Sequence, residues 1–125
     1  MQDTETGTGA AEALVGAFFE AFDAGDFARV NQMCRVDVRS ELVGRSRSQR
    51  SDSGLVETLE AMRTEFGDTV RHDWEIVLVA GDHVVVEWER SLDSGQAQTR
   101  DAGVSFFGIR GNKIDLFRSY DGSAR

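Results

Sequence analysis

The sequence predicts an α+β domain: three N-terminal helices, one strand between the second and third, packed on a curved, mainly antiparallel sheet that closes a cone around a pocket. Three observations predict it. Apolar residues recur at helical spacing over most of the first half, then alternate with polar residues from 69 onward. Short Gly-, Asp- and Asn-containing breaks separate four long alternating runs, so those strands pair as hairpins. The chain has no proline, so each strand can pair along its whole length.

The elements follow in order. Leu14, Phe18 and Phe22 lie four apart, with Val15 and Phe19 beside them, which predicts a helix over 10–24 ended at Ala24-Gly25. Asp26 suits the N-cap of a second helix, whose apolar face carries Phe27, Val30 and Cys34. Residues 36–43 alternate, with Val36, Val38, Ser40 and Leu42 on one side and Asp37, Arg39, Glu41 and Val43 on the other, and read as a strand. A polar loop spans 44–53. Leu55, Leu59, Met62 and Phe66 place a third helix over 54–66, with Gly67 as its stop. Strands are expected at 69–80, 82–93, 98–110 and 113–121, divided by Gly81-Asp82, Asp93-Ser94-Gly95 and Gly111-Asn112. The helices must cover one sheet face. The open end of the resulting cone suits a ligand, and the outer sheet face is left for a homodimer partner.

Composition limits what such a domain can do. Its 125 residues suit a single domain, expected over 10–125, after a polar, acidic tail over 1–9. That opening lacks the basic start and apolar stretch of a secretory signal, and the longest apolar runs are too short to cross a bilayer, so a cytoplasmic location is expected. A net charge of −8 argues against nucleic acid or a membrane surface as partner. Arg45, Arg47 and Arg50 break that acidity locally, as a solvated loop or as a basic lip that steers an anionic ligand. The lone Cys34 excludes a disulfide framework and reads as a small buried hydrophobe. His72 and His83 are too far apart, with no matching acids, to read as a metal site.

The FFEAFDAGDFARVNQM stretch, the acid before Val43-Gly44 and the closing GNKIDLFRSYDG resemble the nuclear transport factor 2-like superfamily, also called cystatin-like, and within it the SnoaL-like and ketosteroid isomerase-like groups. The resemblance covers about residues 10 to 122. It implies isomerases, polyketide cyclases, epoxide hydrolases, dehydratases or proteins without catalysis, since one fold hosts many chemistries. In isomerase-like members the general base is an Asp in a D-P-V-G segment, a place taken here by Glu41 in Glu41-Leu42-Val43-Gly44. Their oxyanion donors, a Tyr and an Asp, are replaced by Phe18 and Val104, which disfavours isomerisation. Polyether-type epoxide hydrolases add a Glu on the third helix, matched by Glu60, and a closing segment resembling Arg118-Ser119-Tyr120-Asp121-Gly122. Limonene epoxide hydrolase-like members need Arg-x-Asp on a middle strand and a final-strand Asp. Here Arg90-Ser91-Leu92-Asp93 sets that acid one residue late, on the other face.

Glu41 and Asp121, with Glu60, are thus the candidate catalytic residues, two carboxylates able to divide acid and base roles around an apolar cavity. Against this, Glu41 could pair with Arg39 or the 45–50 arginines, Asp121 could cap the chain end, and Glu60 could lie on a solvated helix face. Candidate substrate-lining residues are Phe18, Phe22, His72, Trp74, Trp88, Val104, Phe106 and Tyr120. His72 shares a strand face with Val70, Trp74 and Ile76, whereas Glu87 and Glu89 face solvent or a dimer partner. The expectation is cofactor-free, metal-free acid–base chemistry, epoxide opening or cyclisation, on a hydrophobic oxygenated small molecule. The alternative is a non-catalytic binding or dimerisation module of the same fold.

Overall fold

The computed structural model describes residues 2–43, 48–51, 55–66, 69–93 and 98–122, with side chains described except at 2–8, 42–51, 61, 62, 65, 66 and 122. Its elements are α1 (Gln2–Ala24), α2 (Phe27–Met33), β1 (Cys34–Val43), β2 (Ser48–Ser51), α3 (Leu55–Phe66), β3 (Thr69–Ala80), β4 (His83–Asp93), β5 (Gln98–Arg110) and β6 (Lys113–Gly122). This is the predicted α+β order, with two differences of extent and one added strand. α1 begins at Gln2, in the segment read as a tail, because no proline interrupts the run. Cys34 leaves the second helix and opens β1 in extended geometry, φ −109° and ψ 149°. β2 lies inside the expected 44–53 loop; hydrophobic alternation cannot reveal an edge strand built from Ser, Gln and Arg.

The strands form one sheet in the order β2-β1-β6-β5-β4-β3. β3 to β6 make the expected antiparallel meander. β1 returns to pair in parallel with β6, and β2 adds an antiparallel edge. Tight turns set the meander's register: Gly111 (φ 60°) and Asn112 (φ 64°) both take the left-handed geometry that a two-residue hairpin turn requires. Ser94 and Gly95 of the expected turn and the stop at Gly67 fall outside the described residues, while Asp93 ends β4. Register shifts between Ile76 and Leu78 and between Gly108 and Ile109 bend the strands, since an extra residue on one strand increases local twist. The sheet curves around the helices as a result.

The helices cover the inner face. Val15, Phe18, Phe19 and Phe22 of α1 and Leu55 and Leu59 of α3 are buried against Val70, Val84, Val86, Trp88, Phe107 and Phe117. Phe18 meets Phe107 edge-on and Phe117 tilted, both at 5.1 Å between centroids. Burying such rings contributes about 1.5–3 kcal/mol each, so this layer supplies much of the driving force. α1 ends in a Schellman motif: Gly25 N–H bonds the Phe22 carbonyl at 3.0 Å and Asp26 N–H the Ala21 carbonyl at 2.8 Å. That ending fixes where Asp23 stands above the sheet. Asp26 then caps α2, its side chain accepting from the Arg29 amide at 3.2 Å, as the sequence predicts.

Candidate functional site

Antiparallel pairing puts residues in register on the same face, so the inner wall can be read row by row. His72 on β3 stands opposite Arg90 on β4, and Arg90 opposite Asp101 on β5. Asp121 on β6 lies opposite Gly103, two residues further along the same face of β5. One polar row therefore crosses four strands, and α1 adds Asp23 at its end.

Each member of the row is held. Arg90 is buried, and its Nη2 donates to Asp101 Oδ2 at 2.6 Å and to Asp121 Oδ2 at 3.1 Å. Its guanidinium carbon lies 4.7 Å from the centre of the Trp88 ring, which packs against its flat face. Trp88 in turn lies over Gly103, where any Cβ would overlap the indole and the Tyr120 carbonyl oxygen. The indole N–H donates to Ser105 Oγ at 2.8 Å, and Ser105 shares a 2.9 Å hydrogen bond with Ser119. At the other end, Asp23 takes His72 with both oxygens: Oδ2 accepts the backbone N–H at 2.9 Å and Oδ1 pairs with Nδ1 at 2.7 Å. Arg63 of α3 donates to the Asp23 carbonyl at 3.2 Å.

These groups meet at a slot inside the cone lined by Phe18, Phe19, Phe22, Leu59, His72, Trp88, Arg90, Ser105, Phe117 and Ser119. Its free volume is about 20 Å³, room for about one water molecule. The walls are apolar, mostly aromatic with Leu59, except for the imidazole, the guanidinium and two hydroxyls. A larger open hollow of about 580 Å³ lies on the other sheet face, among the exposed carboxylates of Asp73, Glu75, Glu87 and Glu89. Only the inner slot has the buried, mutually oriented polar groups that proton transfer needs.

The expected residues divide between the two faces. Phe18, Phe22, His72 and Trp88 line the slot, and Trp74 stacks on Phe19 of α1 at 6.0 Å on the same face. Val104, Phe106 and Tyr120 lie on the outer face, where the Phe106 and Tyr120 rings meet at 5.9 Å. Val104, expected at a donor position, faces outward, and the neighbouring inward polar residue is Ser105. Glu41 also requires correction. Its register partner is Arg118, next to the inward Phe117 and Ser119, so Glu41 faces outward and pairs with Arg118 Nε at 3.0 Å. Arg118 is a partner that linear spacing does not anticipate, because a parallel neighbour strand supplies it. Arg45 and Arg47 lie outside the described residues, and Arg50 is described only as the backbone partner of Glu41. Glu60 is exposed on α3 and lines no wall of the slot. Asp121 is held inward by Arg90 rather than capping the chain end.

Sequence reasoning weighed Arg90 only with the wrong acid and missed Asp101, Asp23, Ser105 and Ser119. The Arg-x-Asp search stopped at Asp93 because it looked along one strand, whereas the acid comes from across the ladder. Among the described residues no group of His, Cys, Asp and Glu is arranged to hold a metal ion, and no helix is long and apolar enough to cross a membrane.

The model of the SnoaL-like domain family matches residues 15–117. No functionally curated protein matches the chain. Solved structures of similar fold include an LEH-like epoxide hydrolase from M. tuberculosis, 22% identical over 90% of this chain and 82% of that one, with a TM-score of 0.66. A protein described as a polyketide cyclase from Xanthomonas campestris is 22% identical over 89% of both chains, at a TM-score of 0.61. An NTF2-like protein from Anabaena variabilis is 18% identical over 94% and 90%, at 0.77.

Proposed function

The chain belongs to the SnoaL-like domain family, and from that premise we propose that it catalyses cofactor-free acid–base chemistry on a hydrophobic oxygenated small molecule, opening an epoxide or closing a ring. One observation carries the reading: a single buried guanidinium, Arg90, holds two carboxylates, Asp101 and Asp121, at the polar wall of an aromatic slot. Epoxide opening needs a proton for the departing oxygen and an acceptor for the proton of the attacking water. Arg90, which lines the slot, stabilises the negative charge developing on the departing oxygen, and the two carboxylates it holds behind the wall exchange the proton with that oxygen through water. Cyclisation uses the same groups, with a carbonyl oxygen in place of the ring oxygen. Isomerisation is less well supported, because Phe18 and Ser105 stand where strong oxyanion donors would be needed.

The test is turnover of styrene oxide, an aromatic epoxide that enters only if the slot's side chains part beyond their one-water volume, in isotopically labelled water. Label should enter the diol. Asp101→Asn and Asp121→Asn should each lower kcat/KM by at least ~10²-fold, the lower range for loss of a placed proton-transfer group. Turnover by both variants at the wild-type rate would sink the assignment.

Exposed apolar side chains favour a homodimer through the outer sheet face as the assembled form. On the outer face Val77, Leu78 and Tyr120 are 46, 56 and 39% exposed. Sedimentation of Tyr120→Asp tests this, a shift from dimer to monomer being the expected result.

A further inference from the structure

We propose that the imidazole of His72, oriented by Asp23, is the general base of the slot and takes the proton of the attacking nucleophile at Nε2. The inference rests on the acid–base reading above and assigns a role that the Asp101/Asp121 pair alone leaves open. Of the side chains lining the slot, only His72 belongs to a type that takes up a proton near neutral pH. Both aspartates reach the slot only through Arg90 and line no part of it.

The geometry commits the ring to one orientation. With Asp23 Oδ1 accepting from Nδ1 at 2.7 Å, the proton sits on Nδ1 and the lone pair on Nε2. Among the described residues no hydrogen bond is made by Nε2, and the ring closes one wall of the slot between Phe19 at 4.9 Å, Phe22 at 5.5 Å and Trp88 at 5.4 Å. Asp23 also takes the backbone N–H of His72, so ring and backbone are fixed by one carboxylate. A base held by a carboxylate with its other nitrogen free is the general arrangement for activating a nucleophile.

The proton balance closes. Water oxygen bonds to the epoxide carbon as the carbon–oxygen bond breaks. The ring oxygen, its charge held by Arg90, receives through water a proton from the carboxylic acid that Arg90 orients, and Nε2 receives the proton of the attacking water. The imidazolium then passes that proton through solvent back to the carboxylate, leaving a diol. The charged groups facing His72 are Asp23 on α1, Arg90 on β4 and, through Arg90, Asp101 and Asp121; Arg63 on α3 donates to the Asp23 carbonyl beside it. Its own strand contributes none on this face, Arg71 and Asp73 lying on the other.

Two measurements on the full chain decide the proposal. Nitrogen-15 NMR of the imidazole should find neutral His72 as the Nδ1–H tautomer, and the Nε2–H tautomer would overturn it. Kinetics with styrene oxide should show His72→Gln at least ~10²-fold slower, with the rise of rate with pH through the histidine range lost. Free imidazole should restore part of the rate of His72→Ala, which a purely structural histidine would not allow. If His72→Gln keeps the wild-type rate and pH profile while Asp121→Asn is slow, the base assignment falls and the acid–base reading stands. If neither substitution slows turnover, both fall.

Discussion

Arg90 on β4 faces Asp101 on β5 directly across the antiparallel ladder, and the same nitrogen that reaches the Asp101 carboxylate at 2.6 Å also reaches Asp121 on β6 at 3.1 Å. Three strands are tied at one cation. Arg90→Met should therefore lower stability, because it leaves two carboxylates side by side without their shared partner. Asp101 and Asp121 keep 34 and 30% of their side-chain surface in water, so the loss should be about 2 kcal/mol, below the ~3–5 kcal/mol of fully buried pairs. Arg90→Lys should recover part of that stability in urea titrations. It should not recover turnover, since an ammonium lacks the planar face that packs on the Trp88 ring and orients the charge.

Ser105 stands between two partners, accepting the Trp88 indole N–H and bonding Ser119. Ser105→Ala leaves that indole N–H buried without its acceptor, a cost of about 1–3 kcal/mol. Ser119→Ala removes only the outer hydroxyl and leaves the indole satisfied. The expected order of thermal stability is wild type, then Ser119→Ala, then Ser105→Ala, with a shift of tryptophan emission only in the last. Equal losses would contradict the chain of hydrogen bonds.

Cys34 gives a prediction in pH. Burial pushes its thiol up from 9.0 to about 11, against the opposing attraction of Lys113 for the thiolate. Below pH 9 the folded and unfolded chains both keep the proton, and the thiol adds no slope. Between 9.0 and about 11 the unfolded chain has released it and the folded chain has not, so stability falls as pH rises through that window. Cys34→Ala should flatten this part of the stability curve, read from urea midpoints across the window. Thiol reagents at pH 8 should act slowly on the folded protein and rapidly on the unfolded one.

Local pattern made the fold legible, and the site needed relationships that local pattern does not contain. The stripe Leu14, Phe18, Phe22 and the hairpin turn Gly111-Asn112 each state their element within a few residues, and both stand as expected. Asp23 and His72 are 49 residues apart, and they meet only because the Schellman ending of α1 stops the helix above β3. Asp101 meets Arg90 because the β4–β5 hairpin sets that register, which the 93–95 turn residues alone do not specify. The face of Glu41 depends on its parallel pairing with β6, a contact between strands far apart in the sequence. Motif counting put this carboxylate at a base position, and the one-residue parity of a strand turned it outward.

That parity makes Glu41 the residue on which motif and geometry disagree most plainly. Glu41 pairs with Arg118 at 3.0 Å on the outer face, with Glu41 15% and Arg118 42% exposed. Glu41→Gln should keep styrene oxide turnover within about threefold of wild type, whereas loss of a placed base costs at least ~10². Its stability should fall by about 1 kcal/mol or less, the range of partly solvated ion pairs, and less at high salt. If Glu41→Gln instead abolished turnover while Asp121→Asn and His72→Gln were active, β1 would have to present its odd-numbered residues to the slot. The register of β1 on β6 would then be shifted by one residue.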